Sequence, residues 1–142
     1  MIHPREVLLG AQGATGFLPV CDHYSGVELR MRKSLELQAE MGPVFDVTLD
    51  NEDGAPVGGE AEHAALVTEL ALAAAPDARV AVRVHPVDHP SFDADVAHIA
   101  GHAGHRLVHL MVPKVESVQD VDRAAAALDA AGAKGLPLQV LI

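Results

Sequence analysis

The stretch VFDVTLDNEDGAPVGGE, residues 44–60, decides how this chain reads. Its first seven residues form the nearly continuous apolar run of a strand buried on both faces. That run leads straight into three acids, Asp50, Glu52 and Asp53, and then into a glycine-rich turn. Four other runs share its character: residues 17–21, 79–85, 107–112 and 138–142. Between them lie amphipathic segments at 27–41, 61–75, 92–103 and 118–131, of which 92–103 is the weakest helix pattern. Gly42-Pro43, Pro76 and Gly132 supply stop signals, and Ser117 with Asp120 forms a capping-box-like start for the last helix. The alternation predicts an α/β fold of βα units with a parallel sheet. Such a sheet binds ligands at the C-terminal ends of its strands, whether it is an open doubly wound sheet or part of a closed barrel. Polar residues collect at those ends here: Asp22-His23-Tyr24, the acids after Leu49, Arg83 with His85, and Lys114 with Glu116.

The 142 residues suit one domain, with an arm over residues 1–15 carrying Gly10 and Gly13. They fall short of the roughly 250 residues of an eightfold barrel. A formal charge of −10 is a poor match to nucleic acid or anionic lipid, so neither is an expected partner. The lone Cys21 allows no internal disulfide and no cysteine zinc site, which favours a cytoplasmic setting, and Cys21 reads as a small buried apolar residue. The start MIHPREVLLG lacks a signal-peptide pattern, and no apolar run approaches the roughly 20 residues of a membrane span. GAQGATG, residues 10–16, is not a dinucleotide fingerprint.

Clustered carboxylates repel, and they are tolerated beside a divalent cation or an arginine. Mg²⁺ keeps several waters and takes one or two carboxylates, which suits Glu52 and Asp53, although a solvated acidic turn reads the same way. In RVAVRVHP, residues 79–86, alternation places Ala81, Arg83 and His85 on one face. The Arg83 fork suits a substrate carboxylate or the carboxylate of Asp50 next door, and a pair that only braces the sheet is the alternative. LMVPKVES, residues 110–117, brings Lys114 and Glu116 to the same rim as candidate substrate-binding groups, where Lys114 could hold an anion or form a Schiff base, with a surface ion pair as the alternative.

His23 is a candidate general acid/base at the first strand end. His98 and His102 stand four apart, but with His105 and His109 they lack the spaced acid or cysteine of a zinc site and read as a solvated helix and strand edge. Arg30, Arg32 and Lys33 could hold phosphates of a bulky cofactor, or could pair with Glu28 and Glu36 on an exposed helix face.

Taken in order, TLDNEDGAPVGGE, RVAVRVHP, LMVPKVES and LQVLI resemble the citrate lyase beta subunit and malyl-CoA lyase family, also called the HpcH/HpaI aldolase and citrate lyase family, over essentially the whole chain. Its members are similar in an acidic D-x-E-D-G/A strand end, an R-V-N/H strand and a P-K-V-E-S strand. The resemblance implies a (β/α)8 TIM barrel, here about its first five βα units. It implies a Mg²⁺-dependent carbon–carbon lyase acting on 3-hydroxyacyl thioesters of coenzyme A or related hydroxy-keto acids. Arg83 would grip the carboxylate or carbonyl end of a keto-acid fragment, with Lys114 and Glu116 beside it. Asp50 would orient Arg83, and Glu52 and Asp53 would support the metal through its waters. The basic run Arg30 to Lys33 would meet the coenzyme A phosphates.

Asn51 stands where the family often carries Cys. The family's direct metal-ligand acids follow the fifth and a later strand, so they are expected beyond Ile142, in a longer product or from another source. Five strands of eight would leave open edges and an apolar interior, which predicts association into a homo-oligomer. An aldolase on free hydroxy-keto acids, a non-catalytic truncated barrel working through a partner, and a flavodoxin-like open sheet are the alternatives.

Overall fold

The computed structural model describes residues 21–142. The arm expected over residues 1–15, its glycines, and residues 17–20 of the first expected strand lie outside the described residues. The elements run β1 (Asp22–Ser25), α1 (Glu28–Met41), β2 (Asp46–Asp50), α2 (Glu60–Ala73), β3 (Val80–Arg83), α3 (Phe92–Ala103), a 3₁₀ turn, β4 (Leu107–Val112), α4 (Val118–Ala130) and β5 (Leu138–Val140). The stop signals act as their chemistry requires. Gly42 follows α1 at φ +81°, and Ala74 turns extended two residues before Pro76, whose ring disfavours helix just ahead of it. After α4, Gly132 takes φ +76°, its N–H donates to Asp129 and the N–H of Ala133 donates to Leu128, which together make a Schellman motif.

The five described strands are all parallel and lie in sequential order, β1-β2-β3-β4-β5. One face of the sheet carries Val47, Leu49, Val80, Val82, Leu110 and Val112. They pack with Met31 of α1, Val67 of α2, Val96 and Ile99 of α3, and Ala124 of α4 in a single apolar cluster. All four described helices therefore cover the same face. A doubly wound sheet reverses its strand order and puts helices on both faces, whereas sequential order with helices on one face is the winding of a TIM barrel. The flavodoxin-like alternative is set aside on that ground.

Three expectations need correction. The first described strand is Asp22–Ser25, so the polar run read as following a strand forms one, locked in by Asp22 pairing with Asp46 and by Asp46 N–H donating to Cys21 O at 3.0 Å. Apolar patterning misses it because β1 is largely exposed; Cys21 is exposed too, not buried. The face away from the helices is also not apolar. It bears Asp22, Asp46, Thr48, Asp50, Arg83 and His109, with Thr48 Oγ1 donating to Asp22 at 2.8 Å and Arg79 Nε donating to Asp46 Oδ1 at 2.5 Å. Among the described residues, no helix is long and apolar enough to cross a membrane.

The capping box is formed at α4: Ser117 Oγ accepts from the N–H of Asp120, and Asp120 returns the bond to the N–H of Ser117. Ser117→Ala should therefore lower stability by about 1 kcal/mol, read as a shifted urea midpoint with an unchanged slope.

Candidate active site

Strands β2 and β3 end side by side, because the parallel register pairs Asp50 directly with Arg83. Arg83 Nε donates to Asp50 Oδ1 at 2.8 Å and Nη2 donates to Oδ2 at 2.5 Å, a bidentate fork. The turn after β2 folds back on the same carboxylate, which accepts the N–H of Glu52 at 3.0 Å and that of Gly54 at 2.8 Å. Position 54 needs glycine here, since a Cβ would collide with Asp50 Oδ2. Burial alone would raise the Asp50 carboxyl. The Arg83 fork, the Glu52 amide, the Arg83 charge and the Gly54 amide outweigh burial and hold the carboxyl below the ordinary carboxylate range.

Lys114 reaches this pair from the end of β4. Its φ of +56° is left-handed backbone that residues with a Cβ adopt sparingly. That turn carries Nζ to 2.5 Å from Glu52 Oε1 and 3.6 Å from Asp53 Oδ1. Glu52 Oε2 lies 3.2 Å from Arg83 Nη1 yet accepts no hydrogen bond. Three acids thus face two cations, which leaves one net negative charge among them.

A cleft of about 300 Å³ opens over the cluster, lined by Asn51, Glu52, Asp53, Lys114, His85 and His89 among others. Asn51 is fully buried at its wall, and neither atom of its side-chain amide has a partner among the described residues. His85, just past β3, holds Asp95 Oδ2 through Nδ1 at 2.6 Å, and its ring stacks on that of His89 at 4.0 Å between centroids. The buried His63 Nε2 sits 3.0 Å from the carbonyl of Asp50. Sequence reading missed Asp95 and His63, because each meets its partner only through tertiary packing. The one signal in the sequence was the acid-rich start of α3, FDAD, soon after His85-Pro86.

Three comparisons bear on this arrangement. No family model and no curated protein matches the chain. Among solved structures, a citrate lyase from Burkholderia xenovorans LB400 superposes with a TM-score of 0.79 at 41% identity, over 89% of this chain and 41% of that one. This chain has the fold of a partial TIM barrel. Haloferax volcanii malate synthase superposes at TM-scores of 0.62 and 0.60 with 18% identity, in its native form at 3 mM glyoxylate and in a magnesium/glyoxylate complex, which supports the barrel fold. The chain spans about 41% of the length of the citrate lyase and about 40% of that of the malate synthase.

In this partial barrel, the remaining residues singled out from sequence are dispersed. Alternation along β1 turns His23 away from the Asp50–Arg83 face, and its Nδ1 meets Ser34 Oγ of α1 at 2.8 Å. Ser34 Oγ donates its only hydrogen to Arg30 O, so His23 Nδ1 is the donor of that pair. Arg32 pairs with Glu28 at 2.8 Å and Lys33 with Glu36 at 3.0 Å, along the exposed face of α1. Glu116 is exposed, and its backbone N–H donates to Asp120. His98 and His102 lie tilted at 43° to each other on α3, ring centroids 4.8 Å apart, while His109 lies on β4 with a buried Nε2, its ring pushed by burial toward the neutral form.

Among the described residues, no group of three or more His, Cys, Asp or Glu side chains is arranged to hold a metal ion. What the site does offer a divalent cation is the exposed Asp53 carboxylate and Glu52 Oε2, which accepts no hydrogen bond although Arg83 Nη1 lies 3.2 Å from it. Two such oxygens fit the water-rich mode of Mg²⁺, in which a protein provides one or two carboxylates.

Proposed function

We propose that the protein is a carbon–carbon lyase of the citrate lyase beta and malyl-CoA lyase type, cleaving or forming a 3-hydroxyacyl thioester of coenzyme A. The bidentate Arg83–Asp50 pair at the strand ends carries this reading. Asp50 takes the Nε and Nη2 side of the guanidinium, and Glu52 Oε2 stands 3.2 Å from Nη1 without accepting a hydrogen bond, so the N–H groups of Nη1 remain to be shared with the carboxylate or carbonyl of a keto-acid fragment. Arg83, with Lys114 close by, supplies fixed positive charge where an enolate develops as the bond breaks. The likeness to a citrate lyase at 41% identity supports the same reaction class.

Mg²⁺ belongs to this reading, with Glu52 and Asp53 holding its waters and further ligands coming from outside the described residues. When bound it would act as a Lewis acid on the same oxygens. Calorimetric titration of the intact natural protein with Mg²⁺ and glyoxylate tests the proposal, and absence of binding to either would overturn it.

One observation favours a second reading, a metal-dependent aldolase on free hydroxy-keto acids. Arg32 and Lys33, the cations that would meet coenzyme A phosphates, are already paired with Glu28 and Glu36. The triple change Arg30→Gln, Arg32→Gln and Lys33→Gln separates the two readings. Thioester KM should rise about tenfold or more if these groups hold phosphate, since hydrogen bonds to charged groups contribute roughly 1.5–3 kcal/mol between them. An unchanged KM favours the aldolase.

A further inference from the structure

The geometry points to His85 as the proton-transfer group of this cleft, with Asp95 as its positioning residue and a 3-hydroxy acid or its thioester as the substrate class. The inference rests on the lyase reading and gives a role to His85, which the sequence placed at a strand end beside Arg83 without one. The His85 and Asp95 side chains are only 12% and 3% exposed, so their 2.6 Å contact is sheltered from water. A carboxylate only accepts, so His85 Nδ1 carries the proton of that bond, and Nε2 is left as the acceptor of the neutral ring. Asp95 lies in the first turn of α3, where the helix dipole favours an anion, and it also stands 3.4 Å from the backbone N of His85.

The ring plane is held as well. His89 stacks on His85 at 12° between planes, and His89 Nδ1 accepts from the N–H of Ser91 at 3.1 Å. The ionisable groups around His85 are Asp95 and His89 beside it, and Glu60, Glu52, Asp53 and Lys114 across the cleft. An imidazole oriented by a buried carboxylate, with its other nitrogen free at a cleft wall, is the arrangement of a general acid/base.

In the cleavage direction, Nε2 takes the proton of the substrate's 3-hydroxyl. The oxygen's electrons form the new carbonyl, the C2–C3 bond breaks, and its electron pair passes into the enolate of the acyl fragment. The imidazolium then gives the proton to C2. Hydrogen count and charge balance with no further reagent.

His85→Asn tests the role, because the asparagine amide keeps an N–H near the place of Nδ1 for Asp95 while the Nε2 acceptor is lost. In the intact natural protein, kcat for malyl-CoA cleavage should fall by about 10²- to 10⁴-fold, the share that general acid–base catalysis supplies. KM and the affinity for Mg²⁺ with glyoxylate should stay near those of the parent, and the acidic limb of the kcat–pH profile should disappear. Imidazole ¹⁵N NMR gives a readout without turnover: His85 should show the Nδ1–H tautomer, and Asp95→Asn should release it. If the parent cleaves malyl-CoA and His85→Asn matches it in rate and pH profile, the His85 role is overturned while the lyase reading stands. An Nε2–H tautomer in the parent overturns it equally. A parent that neither binds glyoxylate nor cleaves malyl-CoA overturns both.

Discussion

Replacing Arg83 with Met is expected to cost about 3–5 kcal/mol of folding stability, the range for removing one partner of a buried ion pair. The reason lies in what is left behind. Asp50 is 3% exposed, and its carboxylate would keep the backbone N–H groups of Glu52 and Gly54 but lose both Arg83 bonds and the compensating charge. Arg83→Lys should lose less, because it keeps the charge and loses only the fork. Urea denaturation measures the difference, and equal midpoints for parent and Met variant would refute it.

The pH dependence gives a second signature. With Arg83 present the folded-state value of Asp50 lies below its unfolded value. Its contribution to stability is therefore full above the ordinary carboxylate range, near pH 4, and is lost as pH falls through the lower folded value. Without Arg83, burial is opposed only by the two backbone donors. The folded-state value then moves up, and acidification relieves the penalty. The stability gap between parent and variant should narrow as pH falls through about 4.

Gly26→Ala is expected to cost about 3 kcal/mol, the upper end of the range for overpacking. A Cβ at Gly26 would run into the carbonyl group of Gly54 and the backbone N of Ala55. Both are main chain, so no rotamer change can clear the space. The only relief is to move the turn that donates the Gly54 N–H to Asp50, so the substitution should also disturb the Arg83 site. Reduced glyoxylate affinity alongside the lost stability would show that coupling. A variant with parental stability would mean that the β1–α1 corner can shift freely.

The likeness to a citrate lyase and the sequential sheet agree on the fold, and the βα rhythm beneath it was legible in local signals. The βα alternation, the glycine and proline stops and the Ser117–Asp120 capping box act within a few residues of one another. For that reason β4 and α3 fall on the residues that patterning predicts. The Arg83–Asp50 pair was partly legible. Alternation indicates which face Arg83 occupies, but its in-register meeting with Asp50 depends on how two strands 33 residues apart align.

The amino-acid order by itself determined the element types, the parallel α/β class and the concentration of charge at strand ends, because propensity, capping and hydrophobic period are short-range properties. Only the tertiary structure decided that all four described helices share one face, that His23 turns from the site and that His85 meets Asp95. The physical reason is that register and packing bring together groups far apart along the chain, and no local pattern of residues encodes which of several compatible partners each will meet.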